Sequence, residues 1–108
     1  MMQHIHQNLA AGSWQKMTLN EQLGNIGSEV GRVLRARDES SREHAFERAL
    51  DLFDLTTADP RRQKQLKEIL RARELFVAAS LGRDEYGTSL EDLDNYFLYF
   101  AIAARAGR

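Results

Sequence analysis

Four helix-start signals fall in one short chain, and together they restrict it to helices joined by brief links. Thr18 with Glu21 spells Thr-x-x-Glu, a capping box in which each side chain satisfies a backbone donor left orphaned by the first turn. Ser40 with Glu43 and Thr88 with Glu91 repeat the pattern. Asp59 before Pro60 is an N-cap followed by proline at the first helical position, where the missing N–H has no partner to lose. Pro60 is the only proline, and β-branched residues are few beside Leu, Ala, Arg and Glu, so propensity favours helix throughout. The punctuation predicts helices over roughly 18–37, 41–57, 60–81 and 89–105.

The links between them are DESS, TAD and GRDEYGT. At 108 residues the chain holds one domain. Links this short force consecutive helices to run antiparallel, so the expected fold is all-α, an up-down-up-down antiparallel four-helix bundle over residues 14–108. Residues 1–13 read as a loosely ordered N-terminal tail. His4 and His6 lie in it, but a spacing of two keeps them off a common helical face, and no metal is expected there.

Charge excludes several partners. Fifteen basic and sixteen acidic residues leave a net −1, so no global field recruits nucleic acid or a membrane. Without cysteine there is neither disulfide nor thiolate chemistry. The opening MMQHIHQNLAAGSW lacks the apolar core of a signal peptide, and no apolar run of about 20 residues occurs. The expected location is cytoplasmic, with no membrane partner.

Apolar spacing assigns the faces. The first helix buries Leu19, Leu23, Ile26, Val30 and Val33, and Gly24, Gly27 and Gly31 form a smooth shoulder where a neighbour can approach closely. The second carries Phe46, Ala49, Leu50 and Phe53, with Leu52 and Leu55 widening the face. In the fourth, YFLYFAIAA (96–104) is apolar or aromatic all round. No helix of a four-helix bundle is fully enclosed, so Tyr99 and Ile102 are expected at a homodimer interface.

The third helix poses a problem. In LKEILRARELF (66–76), Leu66, Ile69, Leu70, Phe76 and Val77 gather on one face, and Arg73 falls among them. A guanidinium in a core needs a partner. Arg73 lies about 20 Å up its helix at 1.5 Å per residue, a height that an antiparallel bundle matches with Glu29. The expectation is a buried Glu29–Arg73 pair, completed by Asn25 and the hydroxyls of Tyr96 and Tyr99. Bundles place ligand sites between helices, but this group lacks a nucleophile, a metal set and a general base, so a structural role fixing helix register is expected.

Two further constellations carry little. His44, Glu47, Asp51 and Asp54 share a face of the second helix, yet a carboxylate-bridged metal site would need a second Glu-x-x-His, which is missing. That face reads as solvated, and neither metal nor cofactor is implied. Basic side chains form two groups, Lys64, Lys67 and Arg71, and Arg32, Arg35, Arg37 and Arg42, interleaved with acids. They offer at most a weak nucleic-acid contact.

The stretch RARDESSREHAF holds Arg37 and His44 with six residues between them. This resembles the Arg…His motif of the HEPN superfamily, small prokaryotic helical bundles that act as metal-independent ribonucleases of toxin–antitoxin pairs or as inactive partners of minimal nucleotidyltransferases. The resemblance implies that Arg37 stabilises the phosphate, that His44 serves as acid or base, and that the site forms across a homodimer. Set against it, the helical pattern and the apolar fourth helix favour a non-enzymatic interaction or assembly module that homodimerises and contacts other protein.

Overall fold

The computed structural model describes residues 12–83 and 86–107, and among these the regular structure is entirely helical. Four α-helices follow in order: α1 (Leu19–Arg35), α2 (Glu39–Thr57), α3 (Leu66–Ser80) and α4 (Leu90–Ala106). Short 3-10 helices, Trp14–Lys16 and Pro60–Gln65, lead into α1 and α3. Most of the expected tail, with His4 and His6, lies outside the described residues.

The caps show which local signals governed. Thr18 closes its capping box with Glu21, as the sequence suggests. α2 starts earlier than expected, because Asp38 rather than Ser40 is the N-cap: one carboxylate oxygen accepts the Ser41 N–H at 2.7 Å and the other the Ser41 hydroxyl at 3.1 Å. The last box is shifted by one residue, to Ser89 with Asp92, leaving Thr88 and Glu91 outside the exchange. Asp59 caps the Pro60 turn, but that turn is 3-10, with Arg62 in non-helical backbone before α3 begins. Beyond the end of α3 at Ser80, Gly82, with φ of +72°, allows the Gly82 and Arg83 N–H groups to reach back to the Ala79 and Ala78 carbonyls.

α1 packs against both α2 and α4, α2 against α3, and α3 against α4. The core is built from Ile26, Val30 and Val33 of α1, Ala45, Ala49 and Phe53 of α2, Ile69 and Phe76 of α3, and Leu93 and Phe97 of α4. Phe53 is central, its ring 5.8 Å from Phe76 and 5.9 Å from Phe97. Each such fully buried aromatic contributes about 1.5–3 kcal/mol of burial.

The glycine shoulder of α1 receives α4. A methyl group added at Gly27 would stand 2.5 Å from Phe97 Cβ, and one at Gly24 would stand 3.0 Å from Ala101 Cα. These glycines accept a loss of helix propensity in exchange for close helix approach. Among the described residues no helix is long and apolar enough to cross a membrane.

Candidate functional site

The Glu29–Arg73 pair does not form. Arg73 Nε bonds the Asp54 carboxylate at 3.1 Å, and the Arg73 side chain is one-third exposed. The buried line of α3 is Ile69, Ala72 and Phe76, at i, i+3 and i+7, which leaves Arg73 one step off its centre on the α2 side. Leu70, counted in the expected seam, is 46% exposed.

Glu29 is nonetheless buried, and its partners are other arginines. Arg48 of α2 donates from Nε to Oε2 at 2.7 Å, and Arg32 of the same helix donates to Oε1. The rest of the expected network disperses. Asn25 is exposed and bonds the Glu21 carbonyl at 2.8 Å. Tyr96 donates its hydroxyl to Glu68 at 2.7 Å, and burial, then Glu68, pushes that hydroxyl above the ordinary phenol range. Tyr99 is 75% exposed and points away from all of them.

The two arginines on Glu29 open onto a cleft of about 570 Å³ where α1 turns into α2. Arg32, Arg35, Arg37, His44 and Arg48 line it, with Asp38 and Ser41 at its edge. The folded chain therefore brings Arg37 and His44 to one place, both exposed. Their surroundings are partly neutralised: Glu29 answers Arg32 and Arg48, and Asp94 lies 3.3 Å from Arg35. The Asp38 carboxyl is held below its ordinary range by the Ser41 backbone and side-chain hydrogen bonds of the cap. Guanidinium donors beside an imidazole suit an anion such as a phosphodiester. Arg42, grouped with these arginines by sequence, instead donates to the Ser80 carbonyl and ties α2 to the end of α3.

The remaining basic group stays on the surface. Lys64, Lys67 and Arg71 are exposed, and the Arg71 guanidinium lies over the Tyr86 ring, 4.5 Å from its centroid. On α2, His44, Glu47 and Asp54 are exposed, and among the described residues no three acidic or histidine side chains converge as a metal set.

A second polar cluster, without a counterpart in the sequence reading, joins the Trp14 turn, α1, α2 and the Pro60 turn. Gln22 is its hub, donating from Nε2 to the Trp14 carbonyl at 2.9 Å and to Asp59 at 3.0 Å, and accepting from Arg62 Nε at 2.7 Å. Trp14 Nε1 donates to Thr56 Oγ1 at 3.1 Å, and the Thr56 hydroxyl in turn donates to the Leu52 carbonyl at 2.7 Å. Arg61 closes over Asp59, and its bonds, opposed by burial and aided by Gln22, hold that carboxyl far below the ordinary range. Gln22, Thr56 and Asp59 are all but inaccessible, so this cluster acts as an internal clamp. Its only sequence signal is that Gln22 lies one turn before Ile26, on the centre line of the α1 stripe.

On the opposite side of α4 from the buried Phe97, the surface is apolar. Leu98 is 49% exposed, Ile102 50%, and Tyr99 lies beside them. Leu98 also forms the rim of a groove of about 480 Å³ between α1 and α4, which includes Gly24, Ser28, Ala101 and Ala104. No protein-family model, curated protein or solved structure matches the chain.

Proposed function

We propose that the protein is a non-enzymatic helical interaction module that forms a homodimer through the outer face of α4. The observation that carries this is the contiguous exposure of Leu98, Tyr99 and Ile102 on one helical stripe, on a helix whose opposite face is anchored by the buried Phe97. Clustered large apolar side chains of this kind mark contact surfaces rather than ordinary surface composition. In this reading the helices alternate up and down as an antiparallel bundle. The short links support that order, as does the packing of each helix on its chain neighbour and of α1 on α4. Native mass spectrometry at micromolar concentration is expected to give twice the mass of one chain. Ile102→Glu is expected to give single chains of unchanged helix content. A wild-type protein that weighs as one chain removes the reading.

One observation favours a second reading. Arg37 and His44 line the same open cleft, with Arg32, Arg35 and Arg48 around them. That arrangement supports a HEPN-like, metal-independent ribonuclease in which Arg37 steadies the phosphate and His44 moves the proton. It requires RNA cleavage by the wild-type protein that disappears in His44→Ala; cleavage that survives the substitution removes His44 from that role.

A further inference from the structure

The exposed face of α4 carries a regularly spaced stripe with opposite charges at its two ends. Glu91, Asn95, Leu98, Ile102 and Arg105 follow alternating steps of four and three, the spacing of a coiled-coil seam, and all five are exposed. Tyr99 flanks the seam at its middle. Charge is divided between its ends: Glu91 lies in the first turn and Arg105 in the last. Glu91 and Arg105 stand seven residues before and after Leu98.

Two copies laid parallel would set Glu91 against Glu91 and Arg105 against Arg105, like charge on like. Laid antiparallel, the same stripe places each acid opposite the other copy's base and opposes the helix dipoles favourably. The α1–α4 groove at the rim of the seam is lined in part by small residues, Gly24, Ser28, Ala101 and Ala104, which leave room for a second helix to settle close. A self-complementary patch of this kind is what a two-fold interface requires.

We infer that two copies pair through antiparallel α4 helices about a two-fold axis beside Leu98, with Glu91 of each copy opposite Arg105 of the other. This rests on the homodimer reading above and specifies its geometry. The same face would fit another protein's apolar helix less well, because the end charges already complement a second copy.

The chain contains no cysteine, so a single introduced thiol reports position without background. Leu98→Cys, on the axis, is expected to cross-link into disulfide dimers under mild oxidation, whereas Leu70→Cys, exposed on α3, is expected to stay uncrosslinked. A second measurement does not depend on position 98. Glu91→Arg and Arg105→Glu are each expected to raise the dimer dissociation constant about three- to ten-fold, and the doubly swapped protein to restore it. Leu98→Cys cross-linking no faster than Leu70→Cys, or a double swap no tighter than the single variants, overturns the antiparallel geometry while a dimer mass keeps the dimer reading. A wild-type mass of one chain overturns both.

Discussion

Asp59 and Glu29 are both buried carboxylates answered by two arginines, yet they are built in opposite ways. Around Asp59 the groups behind the carboxylate are enclosed: Gln22 is inaccessible and the Arg62 side chain is 10% exposed, while Arg61, itself 43% exposed, is locked over the carboxylate by three side-chain hydrogen bonds. Around Glu29 only the acid is hidden. The Arg48 side chain is 30% exposed and that of Arg32 61%, so both guanidiniums reach the water of the cleft. A closed cluster stabilises one arrangement of the chain, here the docking of the Trp14 turn on α1 and α2. An open one anchors cations at a rim where they can still meet a ligand. A buried acid therefore says little about function until the exposure of its partners is known.

The difference predicts unequal costs. Asp59→Ala would take from Gln22 one of its two acceptors and leave the enclosed Arg62 without the carboxylate charge 4.0 Å away, and is expected to destabilise by about 3–5 kcal/mol in urea unfolding. Trp14 is the only tryptophan and is seated on the same cluster, so its fluorescence reports the loss directly. A cost under about 1 kcal/mol would mean that the clamp relaxes around the gap.

Acid should expose the same residue. The Asp59 carboxyl titrates far lower in the folded chain than in the unfolded one, principally because of its Arg61 hydrogen bonds. Its contribution is fully present above the unfolded value of about 3.9 and declines as pH falls through it toward the folded value. The stability gap between wild type and Asp59→Asn should hold constant from pH 7 to about 5 and shrink below about 4. A gap that stays constant down to pH 3 would show that the carboxylate's charge is not what stabilises the clamp.

Glu29→Gln is expected to cost less, about 1.5–3 kcal/mol, because the released Arg48 and Arg32 can turn to solvent. A loss as large as that of Asp59→Ala would erase the contrast, and would mean that the cleft is as closed as the clamp.

How much of this the sequence discloses depends on how local the cause is. The Thr18 box and the Asp59–Pro60 start are read correctly because every participant lies within four residues. Asp38 displaced Ser40 as a cap because both are good acceptors and the choice rests on backbone geometry, not residue type. The shoulder of Gly24, Gly27 and Gly31 was also legible: small residues at helical spacing mean a close neighbour, and α4 is that neighbour. The polar clusters were not. Gln22 is 37 residues from Asp59 and 40 from Arg62, a distance that no periodicity measures. Sequence spacing pairs Glu29 with Arg73, whereas its α2 partner is Arg48, 19 residues away. Arg37 and His44 share a cleft because Arg37 lies in the link after α1 and His44 in the second turn of α2, and sequence grouping places Arg32 and Arg35 beside them but not Arg48.

The smallest expected effect concerns the residue that looked most costly. Helical spacing puts Arg73 among Leu66, Ile69, Leu70, Phe76 and Val77 on one face. Ala72 is nevertheless the inward position, on the same buried line of α3 as Ile69 and Phe76. That register moves Arg73 to the flank, where Asp54 is half exposed and water screens the pair. A pair in that setting contributes about 0.2–1 kcal/mol. A double-mutant cycle with Arg73→Ala and Asp54→Ala should therefore return a coupling within that range, and it should fall in 1 M salt, where charges are screened within about 3 Å. A salt-independent coupling of 3 kcal/mol or more would place Arg73 back inside the core and shift the register of α3.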